Sequence, residues 1–181
     1  MEIKSWGMVF MNVKVLTPAK ADFTLALLNA EAESVSSSDL YLWLCEQGLP
    51  SEVSIRLSDL INVTAKVADR VINIGKIILI KIVEFVKAHP NLAIGIVVGA
   101  AIGALVSMIP FLGIYLAPIA MAISASVGAI AGYRLDKIEQ GQVVNINNPI
   151  AIGQDIIEVA KLFFSLLIDI FNTLFDKPLL G

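Results

Sequence analysis

Between Pro90 and Tyr133 the alternation of apolar and polar positions stops, and 44 consecutive residues contain no Asp, Glu, Lys, Arg or His. A helix needs about 20 apolar residues to cross a bilayer, so the stretch is too long for one crossing and suits two. Ile109-Pro110-Phe111-Leu112-Gly113 is the natural break, because proline and glycine favour a turn over a continuous helix. The pattern predicts a transmembrane hairpin over 90–133, with spanning helices at about 91–109 and 114–133. Each would be about 28–30 Å long.

Helical periodicity returns on both sides of that stretch. Over 62–89, Lys66, Asp69, Arg70, Asn73, Lys76, Lys81, Glu84 and Lys87 share one face, and Val67, Val71, Ile74, Ile78, Ile82 and Phe85 the other. This reads as one long basic amphipathic helix, its charges suited to anionic lipid and its apolar face to the acyl boundary. Residues 150–181 carry a second amphipathic helix. Gln154, Asp155, Glu158, Lys161, Ser165, Asp169, Asn172, Thr173 and Asp176 mark its polar face, and Ile157, Leu162, Phe163, Phe164, Leu167, Ile168, Phe171 and Phe175 its apolar one. A third crossing there would bury four charges at about 2.5–3.5 kcal/mol each, so the helix is expected outside the bilayer. Being net acidic, it suits packing against the basic helix or against copies of itself. The intervening 134–149, with Gly141 and three asparagines, reads as a polar loop.

Residues 1–61 lack this apolar continuity and form a small, mainly helical unit. Met8–Leu16 has the Val and Phe content of a short strand. Helices are expected at Ala19–Glu33 after Pro18, at Leu40–Gln47 between an N-cap in Ser37-Ser38-Asp39 and Gly48, and from Pro50-Ser51-Glu52 to Leu60, the last running on into the amphipathic segment. The second and third resemble a helix-turn-helix, but the third carries Arg56 against Glu52 and Asp59, too little positive charge for phosphate. The unit instead suits a cytoplasmic protein partner, with Tyr41 and Trp43 as anchors.

Small residues recur every fourth position in the apolar stretch. Gly95, Gly99, Gly103 and Ser107 share a face of the first helix, and Ala120, Ser124, Gly128 and Gly132 share a face of the second. Such glycine-zipper stripes let backbones approach closely, which is what drives association where lipid is as apolar as leucine. They are the expected helix-packing and oligomerisation residues. Lys76, Lys81 and Lys87 before the hairpin and Arg134 and Lys137 after it are the expected membrane-surface cations. With no charge in the turn, they place both termini in the cytoplasm, as in a bacterial inner-membrane protein.

Composition agrees with this pattern. The 181 residues are 57% hydrophobic and 16% charged, with a mean hydropathy of +0.81, whereas soluble domains carry about 25% charge. A net charge of −3 offers no general attraction for nucleic acid. One cysteine and one histidine cannot build a metal site, and no phosphate-binding loop, HExxH or GxSxG motif occurs, so neither an enzyme nor a cofactor is expected. His89 reads as a helix-terminal cap and Cys45 as a buried structural thiol. No intramembrane carboxylate or cation is available for ion coupling.

The sequence therefore predicts an all-α membrane protein without enzymatic activity. Its expected function is a homo-oligomeric pore or other membrane-permeabilising effector, with the lipid bilayer and its own copies as partners. The alternative is a membrane anchor, scaffold or curvature-shaping hairpin. The uncharged Ala/Gly-rich hairpin between amphipathic helices loosely resembles those of pore-forming colicins, which hide such a hairpin until they meet a membrane. Hiding it takes a jacket of helices that 181 residues barely supply, so a hairpin already in the bilayer is the expectation, and no motif assigns the chain to a family.

Overall fold

The computed structural model describes residues 16–67, 69–123 and 149–175, with backbone alone over 149–154. The strand expected at Met8–Leu16 therefore lies outside the described residues, except for Leu16, and so does the polar loop except for Pro149.

The N-terminal unit follows its capping residues. Helix α1 (Pro18–Ser34) starts with proline in its first turn, and the Thr17 side chain accepts the Lys20 amide at 3.3 Å. Helix α2 (Ser37–Glu46) is capped by Ser36, one residue before the expected cap, which accepts the Asp39 amide at 3.4 Å. Gly48 turns the chain at φ +74°, a backbone conformation that glycine adopts without strain. Helix α3 (Ser51–Asp59) follows and tightens into a 3-10 turn, Leu60–Asn62.

Beyond that turn the structure departs from the single helix expected over 62–89. Strands β1 (Ala65–Val67) and β2 (Arg70–Ile72) form an antiparallel hairpin that pairs Ala65 with Ile72 and Val67 with Arg70. Asp69 sits in its turn at φ 66°, the left-handed region that Asp tolerates better than most residues. Only then does α4 (Ile74–Ala88) begin. The run Val63-Thr64-Ala65-Lys66-Val67 fits a strand as well as a helix, since β-branched residues pack on a pleated surface.

Helix α4 is also central rather than superficial. Ile74 through Ile80 are all buried, as are Ile82, Val83 and Phe85. Helix α5 (Ile94–Met108) packs beside it, and the chain then bends by 120° into α6 (Pro110–Ile123), whose first turn is 3-10. The break falls at Ile109-Pro110, as the sequence predicts. The C-terminal segment forms α7 (Pro149–Phe163) and α8 (Ser165–Phe175), separated at Phe164, although the i to i−4 hydrogen bonds continue through that residue.

Helix α7 lies along α5, and α8 lies along α1. Helix α1 also covers α4, through Asn29, whose side-chain oxygen accepts the Asn73 backbone amide at 2.8 Å and the Asn73 side-chain amide at 3.2 Å. The Arg70 guanidinium donates to the Asp22 carboxylate and ties the β-hairpin to the same helix. The architecture is thus mostly helical, with α4 and α5 inside and α1, α6, α7 and α8 around them. Among the described residues no single helix is long and apolar enough to cross a membrane; α5 and α6 pass that test only as a bent pair.

Candidate functional site

The site that the sequence singles out is the apolar hairpin, and its first helix is held inside the fold. In α5 the residues Val97, Val98, Ala100, Ala101, Ile102, Ala104 and Leu105 are buried, so apolar contacts surround the helix on most sides. Those contacts come from α4, α6 and α7. The jacket judged too costly for this chain length is built from the two flanking amphipathic segments themselves. At 15 residues, α5 is about 22 Å long, short of the roughly 30 Å hydrocarbon core of a bilayer.

The small-residue stripe meets several neighbours rather than one. A Cβ on Gly99 would stand 3.1 Å from the Cγ2 methyl of Ile123, so this glycine packs closely against α6. A Cβ on Gly103 would stand 3.9 Å from Ile157 Cδ1, against α7. Gly95 has nothing within 4 Å of its Cβ position. The Ser107 hydroxyl donates to the Ala104 carbonyl at 3.0 Å and so is spent within its own helix. Ala120 is half-buried on α6, while Ser124, Gly128 and Gly132 lie outside the described residues. Two of the four first-helix positions therefore serve packing within the chain.

The expected surface cations divide in the same way. Lys76 is 9% exposed and has no ion-pair or hydrogen-bond partner among the described residues, so its stem is packed within the fold and its head reaches the surface. It lies at the edge of the polar arc rather than its centre, which is why packing around α4 closes over it. Lys81 Nζ pairs with Glu84 Oε2 at 2.9 Å, and Lys87 is exposed in the last turn of α4, where a cation suits the helix dipole. Arg134 and Lys137 lie outside the described residues.

His89 caps α4 as expected. Its backbone amide donates to the Val86 carbonyl at 3.1 Å, its Nδ1 lies 2.8 Å from the Phe85 carbonyl oxygen, and its ring packs on Phe85 with centroids 4.5 Å apart. Cys45, expected to be buried, is exposed on α2. One turn earlier stands Tyr41, whose hydroxyl is held above its ordinary pKa by the neighbouring Cys45 side chain. Of the two expected partner anchors, Tyr41 is exposed and Trp43 is half-buried against the core. Tyr41 and Leu42 border an open depression of about 520 Å³ with Ser38, Ser58, Asp59 and Asn62.

Two features escaped the sequence reading. The outer side of α6 is apolar and open, with Ile114 81% and Met121 70% exposed. On α7 and α8, Val159, Leu162, Phe163 and Leu166 form a second exposed stripe at helical spacing, Leu162 reaching 77%. An uncharged helix signals burial or lipid without saying which of its sides is left open, and Leu162, expected on the apolar face, falls at 100° per residue between Asp155 and Asp169 of the polar one. Among the described residues, no group of three His, Cys, Asp or Glu side chains gathers as a metal site would require. No protein-family profile, curated protein or solved structure matches this chain.

Proposed function

We propose that this chain is a membrane-permeabilising protein that stores its apolar hairpin folded against its own helices and releases it into a lipid bilayer. The observation that carries the reading is the contrast between the 44-residue uncharged stretch, long enough for two crossings, and the short, bent form in which residues 90–123 are packed, α5 jacketed by its neighbours. Extension of α5 toward Pro90, with the turn at Ile109-Pro110 kept between the two arms, would restore a spanning length. The open face of α6, with Ile114 and Met121, offers the bilayer an uncharged first contact.

Once the hairpin is in lipid, copies would associate through Gly95, Gly99, Gly103 and Ser107 on one helix and Ala120, Ser124, Gly128 and Gly132 on the other. Lys81, Lys87, Arg134 and Lys137, joined by Lys76 when the jacket opens, would hold both flanks on the cytoplasmic side of a bacterial inner membrane. The protein acts without enzymatic chemistry, and its exposed Tyr41 offers a contact for a cytoplasmic partner. A second reading, a non-permeabilising anchor or curvature-shaping protein, is favoured by the stripe of Val159, Leu162, Phe163 and Leu166, which could lie in one leaflet without any crossing.

Release of potassium and a small dye from liposomes separates the two. Permeabilisation predicts release that rises more steeply than linearly with protein density. Gly95→Leu is the informative variant, because its side chain enters open space in the folded chain but would separate backbones along the small-residue stripe in lipid. The variant should keep its thermal stability and lose release. Sealed liposomes of altered shape at every density would replace the pore with the curvature-shaping reading.

A further inference from the structure

The hairpin bend is the point at which the stored form has to open, and the last turn of α8 reaches across to hold it. Ile109 leaves the helical conformation (φ −128°, ψ 88°), and the Leu112 amide turns to the Ile109 carbonyl at 3.0 Å. The Met108 carbonyl, one of the orphan acceptors at the end of α5, is met by the Asn172 side-chain amide of α8 at 2.9 Å, 64 residues further along the chain. Immediately after Pro110, the Phe111 ring stacks on Phe175 with centroids 5.0 Å apart and planes 8° from parallel. Phe175 packs edge-on against Phe171, which is fully buried, and α8 itself is seated on α1.

We propose that Asn172 and Phe175 form a latch that holds the α5–α6 bend closed, so that opening of the last turn of α8 controls release of the hairpin. The inference rests on the permeabilising reading for its consequence and on the folded chain alone for its geometry. The latch is small: one hydrogen bond and one ring stack, each worth a factor of about five to ten in an opening equilibrium. Its two contacts fall on either side of Pro110, so losing both frees the turn that joins the two arms of the hairpin from α8.

Hydrogen exchange and liposome release on the full chain test the two halves separately. Asn172→Ala and Phe175→Ala should each speed exchange of the amides at 109 and 111–115 by about fivefold while leaving α2 and α3 unchanged, and Phe175→Tyr, which keeps the ring, should stay near the parent protein. In vesicles of phosphatidylethanolamine and phosphatidylglycerol, both alanine variants should begin dye release earlier. Unchanged exchange at the bend overturns the latch, even if every protein permeabilises vesicles. Faster exchange at the bend with no release from any protein keeps the latch as a contact and removes the permeabilising reading. Faster exchange spread evenly over the whole chain also overturns it, because the contacts would then be ordinary core packing.

Discussion

Helices α4 and α7 carry closely similar patterns, each with three or four charges on one face and a wall of isoleucine and phenylalanine on the other, yet the fold uses them differently. Helix α4 is enclosed on almost every side, down to Lys76 at 9% exposure, whereas α7 stays at the surface with Leu162 77% exposed. An amphipathic stripe reports which face will be covered first. It does not report how many neighbours will arrive. Helix α4 receives α1, α5 and the 3-10 turn, and the turn comes so close that Gly75 lies under the Leu60 carbonyl. Among the described residues, α7 receives α5 and, through Phe163, the end of α4.

Substitutions in the two helices should therefore diverge, the largest effect being expected at Phe85. This ring is fully buried in α4 and touches His89, Phe163 and Phe164 with centroids between 4.5 and 5.4 Å. Phe85→Ala should cost about 3–5 kcal/mol in denaturant unfolding, the usual loss for a deleted core phenylalanine. Next comes Gly75→Ala, where the new methyl would stand 1.8 Å from the Leu60 carbonyl oxygen, a backbone atom with little room to retreat. Its cost should be about 3 kcal/mol, at the upper end of ordinary overpacking. A cost within the error of the melting curve would mean that the 3-10 turn and α4 are not in contact.

Lys76→Met should act in the opposite direction. The lysine sits in the first turn of α4, where a positive charge opposes the helix dipole, and no described carboxylate pairs with it. Stability should rise by about 0.5–1 kcal/mol. The smallest effect belongs to α7. Leu162→Gln should change folding stability by no more than about 0.5 kcal/mol, since the side chain is already in water. The same variant should weaken sedimentation with vesicles if the outer stripe of α7 meets lipid, and undiminished sedimentation would confine lipid contact to the hairpin.

The sequence disclosed its local punctuation well. Pro18, Gly48 and Pro110 mark boundaries within a residue or two because each acts through its own backbone or its nearest amides, while the cap expected in Ser37-Ser38-Asp39 falls at Ser36 and the helix begins three residues early. The departures all involve contacts distant in sequence. The β-hairpin at Ala65–Ile72 was hidden inside a plausible helical pattern, and its docking depends on Asp22 and Asn29, more than 40 residues away. Burial of Lys76 and exposure of Cys45 turn on which helices arrive beside them. The hairpin was identifiable from its missing charges, but missing charges describe a core helix and a membrane helix equally well. That is why the jacket around α5 could not be read from the stretch itself.

The central claim, that the hairpin moves from the protein's core region to the bilayer while the N-terminal unit stays out, is tested most directly by depth-dependent quenching. One protein carries a fluorophore on the native Cys45 of α2, and a second carries it at Ile114→Cys in a Cys45→Ser background; both positions are exposed in the folded chain. In vesicles whose acyl chains bear bromine, the account predicts strong quenching of the label at 114 and none of the label at 45. Equal emission from both labels, quenched or unquenched, would contradict it.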